Sequence, residues 1–92
     1  MAVTITNNVI RMTAAADEAV EQYTISAMFV DGDPGQVGQF VVKDAAAVVM
    51  WSGRVTAEVP GVGISFPDGL HTLGIEFDTV PTNAVLYAYL AI

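Results

Sequence analysis

The segment Val20-Glu21-Gln22-Tyr23-Thr24-Ile25-Ser26-Ala27-Met28-Phe29-Val30 decides the fold class. In an extended chain, Tyr23, Ile25, Ala27 and Phe29 fall on one side, and Gln22, Thr24, Ser26 and Met28 on the other. Side chains of a strand alternate between faces, so this pattern describes a strand with one buried face. Tyr23, Ile25 and Phe29 are its expected core anchors. The stretch Asp31-Gly32-Asp33-Pro34-Gly35 stops it, because it combines most of the strong turn formers.

The same period recurs outward in both directions. Upstream, Val3 and Ile5 alternate with Thr4 and Thr6, Asn7-Asn8 is a turn candidate, and Val9, Ile10 and Met12 follow. Downstream, Gln39 to Lys43 and Val48 to Ser52 make a hairpin pair, with Asp44-Ala45-Ala46 as the connection. Phe40 and Trp51 are expected core anchors there. Val55 to Val59 alternates again before the break at Pro60-Gly61-Val62-Gly63. Ile64 to Phe66 is extended, Pro67-Asp68-Gly69 reads as a turn, and Leu73, Ile75 and Phe77 mark a further half-buried strand, with Phe77 in the core. Val85 to Ile92 is the last strand. Ala14 to Gln22, with Thr13 as a cap, is the one helical candidate, and a loop fits its short span better. About eight short strands spaced roughly 8–12 residues apart predict an all-β protein: a single small antiparallel β-sandwich, jelly-roll-like or Ig-like, over residues 1–92.

Composition excludes several functions. Of 92 residues, 10 are acidic and 3 basic, for a net charge of −7. Three cations cannot neutralise a run of phosphates, so neither nucleic acid nor an anionic membrane is an expected partner. Without cysteine there are no disulfides, thiolate nucleophiles or zinc–thiolate sites. The mean hydropathy of +0.53 is high. Yet the longest uncharged stretch, Thr79 to Ile92, is too short for a spanning helix and contains Pro81 and Asn83. Met1 to Thr6 has no cationic lead and no long apolar core, so synthesis in a cytoplasm is expected. The apolar excess belongs in a core or against partner subunits.

The last strand locates part of that excess. Leu86, Ala88, Leu90 and Ile92 lie on one face, and Val85, Tyr87, Tyr89 and Ala91 on the other. Both faces are apolar, which calls for cover on both sides. Val85, Tyr87, Tyr89 and Ala91 are therefore a candidate interface. The competing reading keeps them as a core strand whose tyrosines lie half exposed with wet hydroxyls.

Sites with chemistry are few. His71 is the only histidine, and Ser26, Ser52 and Ser65 show no nucleophile-elbow spacing, so no catalytic residues and no enzyme activity are expected. Asp31 and Asp33 with Gly32 and Gly35 resemble half a calcium loop but lack its later glutamate, and turn chemistry explains them. Asp17-Glu18 and Glu76–Asp78 are paired carboxylates in a chain too small for a deep cleft, and read as solvated or structural. Trp51 is either a core anchor or an exposed sugar-stacking platform. Pro60 to Gly63 lacks the lysine and helix of a phosphate loop. Neither a metal nor a cofactor is expected.

Three stretches carry a resemblance: Met1-Ala2-Val3-Thr4-Ile5-Thr6-Asn7-Asn8-Val9-Ile10-Arg11-Met12-Thr13-Ala14-Ala15-Ala16-Asp17, Val41-Val42-Lys43-Asp44 through Val48-Val49-Met50-Trp51, and Phe66-Pro67-Asp68-Gly69-Leu70 with the ending Leu86-Tyr87-Ala88-Tyr89-Leu90. Together the chain resembles small virion proteins of tailed bacteriophages. The likeness is one of pattern over most of the chain, with no diagnostic motif and no site residue to carry over. It implies a β-sandwich homo-oligomer in the virion that decorates or cements the capsid, with the major capsid protein or other virion proteins as partners. The segment Asp31 to Gln39 and the acidic residues Asp17, Glu18 and Glu21 depart from that pattern. A tail-fibre, baseplate or host-glycan-binding module of the virion is the alternative, with Trp51 and the acidic loops as its site.

Overall fold

The Asn7-Asn8 turn is a two-residue hairpin with both residues at positive φ, 53° and 63°. That backbone suits the right-handed twist of the strands it joins, β1 (Val3–Thr6) and β2 (Val9–Met12). In the computed structural model, which describes residues 3–33 and 36–91, five more strands follow. They are β3 (Asp17–Asp31), β4 (Gly38–Lys43), β5 (Val49–Val55), β6 (Gly61–Thr79) and β7 (Val85–Leu90). All pair antiparallel in one sheet of order β1-β2-β7-β3-β6-β4-β5. Pro34, Gly35 and Ile92, which belong to an expected turn and to the expected last strand, lie outside the described residues, as do Met1 and Ala2.

The all-β, antiparallel expectation is met, with seven strands rather than eight. The strand order is that of one continuous sheet, so no division into the two sheets of a sandwich is drawn by the hydrogen bonding. Two strands are long, at 15 and 19 residues. The separate strands expected around Ile64 and Leu73 are both parts of β6. Pro67-Asp68-Gly69 does not reverse the chain. It lies in a bulge, because Ile25 pairs with Leu70 and Ala27 pairs with Ser65, setting the four residues Phe66 to Gly69 of β6 against Ser26 alone. The helical candidate is instead a turn running into β3. The expected strand Val55 to Val59 ends at Val55, where Thr56 turns the chain and its Oγ1 accepts the Val59 N–H at 3.0 Å.

The bulges bend the sheet. A second register shift lies between Ala19 and Gln22, opposite Ile75 and Leu73. Gly74 sits in it at φ +80°, and a Cβ there would stand 2.9 Å from that of Ala45. At roughly 3.3 Å per residue a straight β6 would span about 60 Å, yet the longest dimension of the molecule is 34 Å. The strands therefore fold back. Among the described residues there is no helix to cover a face, but Ile10, Phe40, Val42, Val55, Phe77 and Leu86 are all fully buried. The sheet covers itself: Gly32, at the end of β3, lies against Val55 of β5, although the two strands are not neighbours.

Of the expected core anchors, Ile25, Phe40 and Phe77 are fully buried, while Tyr23 and Trp51 are half-buried and pack on the core. Trp51 meets Phe40 edge-on with ring centroids 4.6 Å apart. Phe29 is the exception. It is half-buried on the outer face, and Met28 and Val30 occupy the core in its place. The cause is the bulge beside Ser26, which exchanges the faces of β3 after Ile25. Ser26 Oγ donates to the Tyr89 carbonyl at 3.0 Å and holds that irregularity against β7.

Candidate functional site

β7 runs through the interior of the sheet between β2 and β3. Leu86 and Ala88 are fully buried on its inner side, whereas Val85 and Tyr87 are half-buried and Tyr89 is 41% exposed on its outer side. Ala91 is exposed just past the strand, its N–H donating to the Thr24 carbonyl at 2.8 Å. Of the four candidate interface residues, three thus share one outer face and the fourth adjoins its end.

Register decides which residues join them. Arg11 and Phe29 flank Tyr87, Val9 and Ala27 flank Tyr89, and Asp31 pairs with Val85. Residues that face one another across a ladder share a side of the sheet, so these eight form one patch. Next along, Gly61 and Gly63 of β6 pair with Asp31 and Phe29. The Phe29 ring lies over Gly61, where a Cβ would stand 2.7 Å from Cζ. The glycines give the ring room to lie flat, and a shallow open groove lined by Phe29, Gly63, Ser65 and Tyr89 runs beside it. Phe29 and Arg11 were not among the expected interface residues. Only the bulge, invisible to strict alternation, brings Phe29 outward.

The other candidates stay apart. The His71 ring shares a hydrogen bond of 3.0 Å with Thr24 Oγ1, and among the described residues it pairs with no acid. Asp31 and Asp33 border a cavity with Pro60 and Asn83, where Asn83 Nδ2 donates to Asp33 Oδ2 at 3.2 Å. Among the described residues no group of three or more His, Asp or Glu is placed to hold a metal ion. Asp78 is held by Lys43 at 3.3 Å. Asp17 is fully buried, and its Oδ2 accepts the N–H groups of Thr13 and Ala14 at 3.2 and 3.0 Å. Its role is structural, while Glu18 next to it is exposed.

Partial burial, reinforced by the nearby Glu21 carboxylate, pushes the Tyr23 phenol above its ordinary range. The fold favours the neutral phenol, so this contribution to stability is present below the ordinary tyrosine value and lost as pH rises through the raised one. Chemical denaturation across that alkaline window is expected to show a small loss that Tyr23→Phe removes. An equal loss in the variant would assign the effect to other groups.

No family model, curated protein or solved structure matches this chain. The electrostatics of the patch therefore stand on the chain's own residues. All ten acidic residues lie between Asp17 and Asp78, and β1, β2 and β7 carry a single charge, that of Arg11. These three strands are adjacent in the sheet. One wing of the molecule is thus free of acid, and the rest carries −8.

Proposed function

We propose that this protein is a structural component of a tailed-bacteriophage virion, one that decorates or cements the capsid by binding the capsid lattice and its own copies. The observation that carries the reading is the outer face of β7. A strand in the middle of a sheet presents Tyr89 exposed and Tyr87 half-buried, with the half-buried Phe29 beside them, on a side that no second layer of strands covers among the described residues. A rigid aromatic patch of this kind suits association through burial of apolar area, with weak salt dependence. The high negative charge keeps free subunits soluble. On this reading the protein is made in the host cytoplasm, resides in the virion, and is not an enzyme.

The alternative, a tail-fibre, baseplate or glycan-binding module, has less support because Trp51, its candidate platform, packs against Phe40 rather than standing free. Co-sedimentation with purified capsids of the encoding phage tests the proposal. Retention is expected, and Tyr87→Ser with Tyr89→Ser is expected to reduce it about 10-fold or more. No retention, together with a monomer at every concentration in light scattering, overturns it.

A further inference from the structure

We propose that two copies of this chain associate face to face through the outer side of β2, β7 and β3, with Arg11 of each copy set against Asp31 of the other. This deepens the reading above and rests on it. Arg11 and Asp31 are the only charged residues that the register places in the patch. Both are exposed, and among the described residues neither forms an ion pair.

Their positions are self-complementary. Arg11 is level with Tyr87 and Asp31 with Val85, on the two strands that flank β7. With strands about 4.8 Å apart and rows about 6.8 Å apart, the two backbone positions are roughly 12 Å from each other. Their midpoint lies over β7, between Val85 and Tyr87. A two-fold axis through that point, parallel to the sheet and perpendicular to the line joining them, exchanges them. That is the geometry of an isologous interface, in which each copy offers the same patch. Facing sheets pack about 10 Å apart, a gap an extended arginine and an aspartate bridge together. Phe29, Val85 and Tyr87 then fill the centre.

Charge selects a second copy despite the net −7. Approach through β2, β7 and the Asp31 end of β3, at the border of the acid-free wing, sets one cation and one anion from each copy together, and charges beyond about 8 Å are screened by salt. The area sets the strength. Three strands by three rows give a flat footprint of roughly 300 Å², well under half of the ~800 Å² per partner in a standard interface. The free dimer is therefore weak and reversible, and many copies bound on a lattice supply the rest by avidity.

Sedimentation velocity over a wide concentration range tests this. The unaltered chain is expected to dimerise reversibly, and Arg11→Asp or Asp31→Arg alone to raise the dissociation constant about 10-fold or more, because each puts like charges together twice. Mixing the two variants is expected to restore dimers, since both cross pairs in the mixed dimer again join opposite charges. Circular dichroism of each variant should match the unaltered chain, as both positions are exposed. If the unaltered chain dimerises and the variants and their mixture behave like it, this geometry is wrong while self-association stands. If the unaltered chain stays monomeric at every concentration, self-association itself fails and the geometry falls with it.

Discussion

Asp17→Ala is expected to lower the unfolding free energy by about 3 kcal/mol or more. The carboxylate is fully buried and accepts the N–H groups of Thr13 and Ala14. Those two donors sit in the turn from β2 to β3, where Ala16 is held at φ 64° and its N–H reaches the Phe77 carbonyl at 2.9 Å. Alanine removes the buried acceptor and leaves two partly buried donors without that partner. Each such loss costs about 1–3 kcal/mol. Against a total of roughly 5–14 kcal/mol for a chain of this size, the change is large, and it corresponds to a fall of about 12–20 °C in Tm. Asp17→Asn keeps one acceptor oxygen in the same shape and is expected to recover part of the loss. Thermal and urea unfolding by circular dichroism measures both. A cost for alanine below about 1 kcal/mol, or no recovery with asparagine, would show that the turn does not depend on this carboxylate.

Phe40→Ala is the second large effect, at about 3–5 kcal/mol. Phe40 lies on β4 between β5 and β6, fully buried, with the Trp51 ring edge-on at 4.6 Å. Backbone ladders on both sides, to Gly53 across β5 and along β6 through Val42 and Phe77, hold the surrounding strands in place. The cavity left by the ring therefore cannot close by a small shift, and the cost approaches the upper part of the range. Trp51 is the only tryptophan, so its fluorescence reports the site directly. Emission is expected to move to longer wavelength as water reaches the half-exposed indole. Unchanged emission with little loss of stability would place Phe40 outside the load of the core.

Much of the strand content was legible because alternation survives wherever a strand has one wet face and one dry face. Gln39 to Lys43 is such a case, with Phe40 and Val42 buried and their neighbours not. The turn at Asn7-Asn8 was legible because few residues other than glycine and asparagine accept positive φ. Asp44 followed its local chemistry too, its Oδ1 accepting the N–H groups of Ala46 and Val48 at 2.9 and 3.0 Å. Phe29 was not legible. Its face depends on Ser26, which is surplus on β3 between the pairings of Ile25 with Leu90 and Ala27 with Tyr89 and stands opposite Phe66 to Gly69 of β6, partners all far along the chain. Pro67-Asp68-Gly69 likewise carries the composition of a turn, and only its flanking pairings with β3 distinguish a bulge from a reversal. Asp17 looked like one of many solvated acids, since burial of a carboxylate depends on which backbone donors surround it.

The candidate site divides the same way. The sequence by itself determined that the strand from Val85 is apolar on both faces, that three cations stand against ten acids, and that the regular structure is strand. These follow from side-chain chemistry and a period of two, both local properties. The tertiary structure alone decided that β7 lies in the sheet interior, that Phe29 faces outward beside Tyr87, and that Arg11 and Asp31 flank one uncovered patch. The reason is physical: which face of a strand is buried, and what stands beside it, is set by pairing register, and register is a relation between segments distant in the chain.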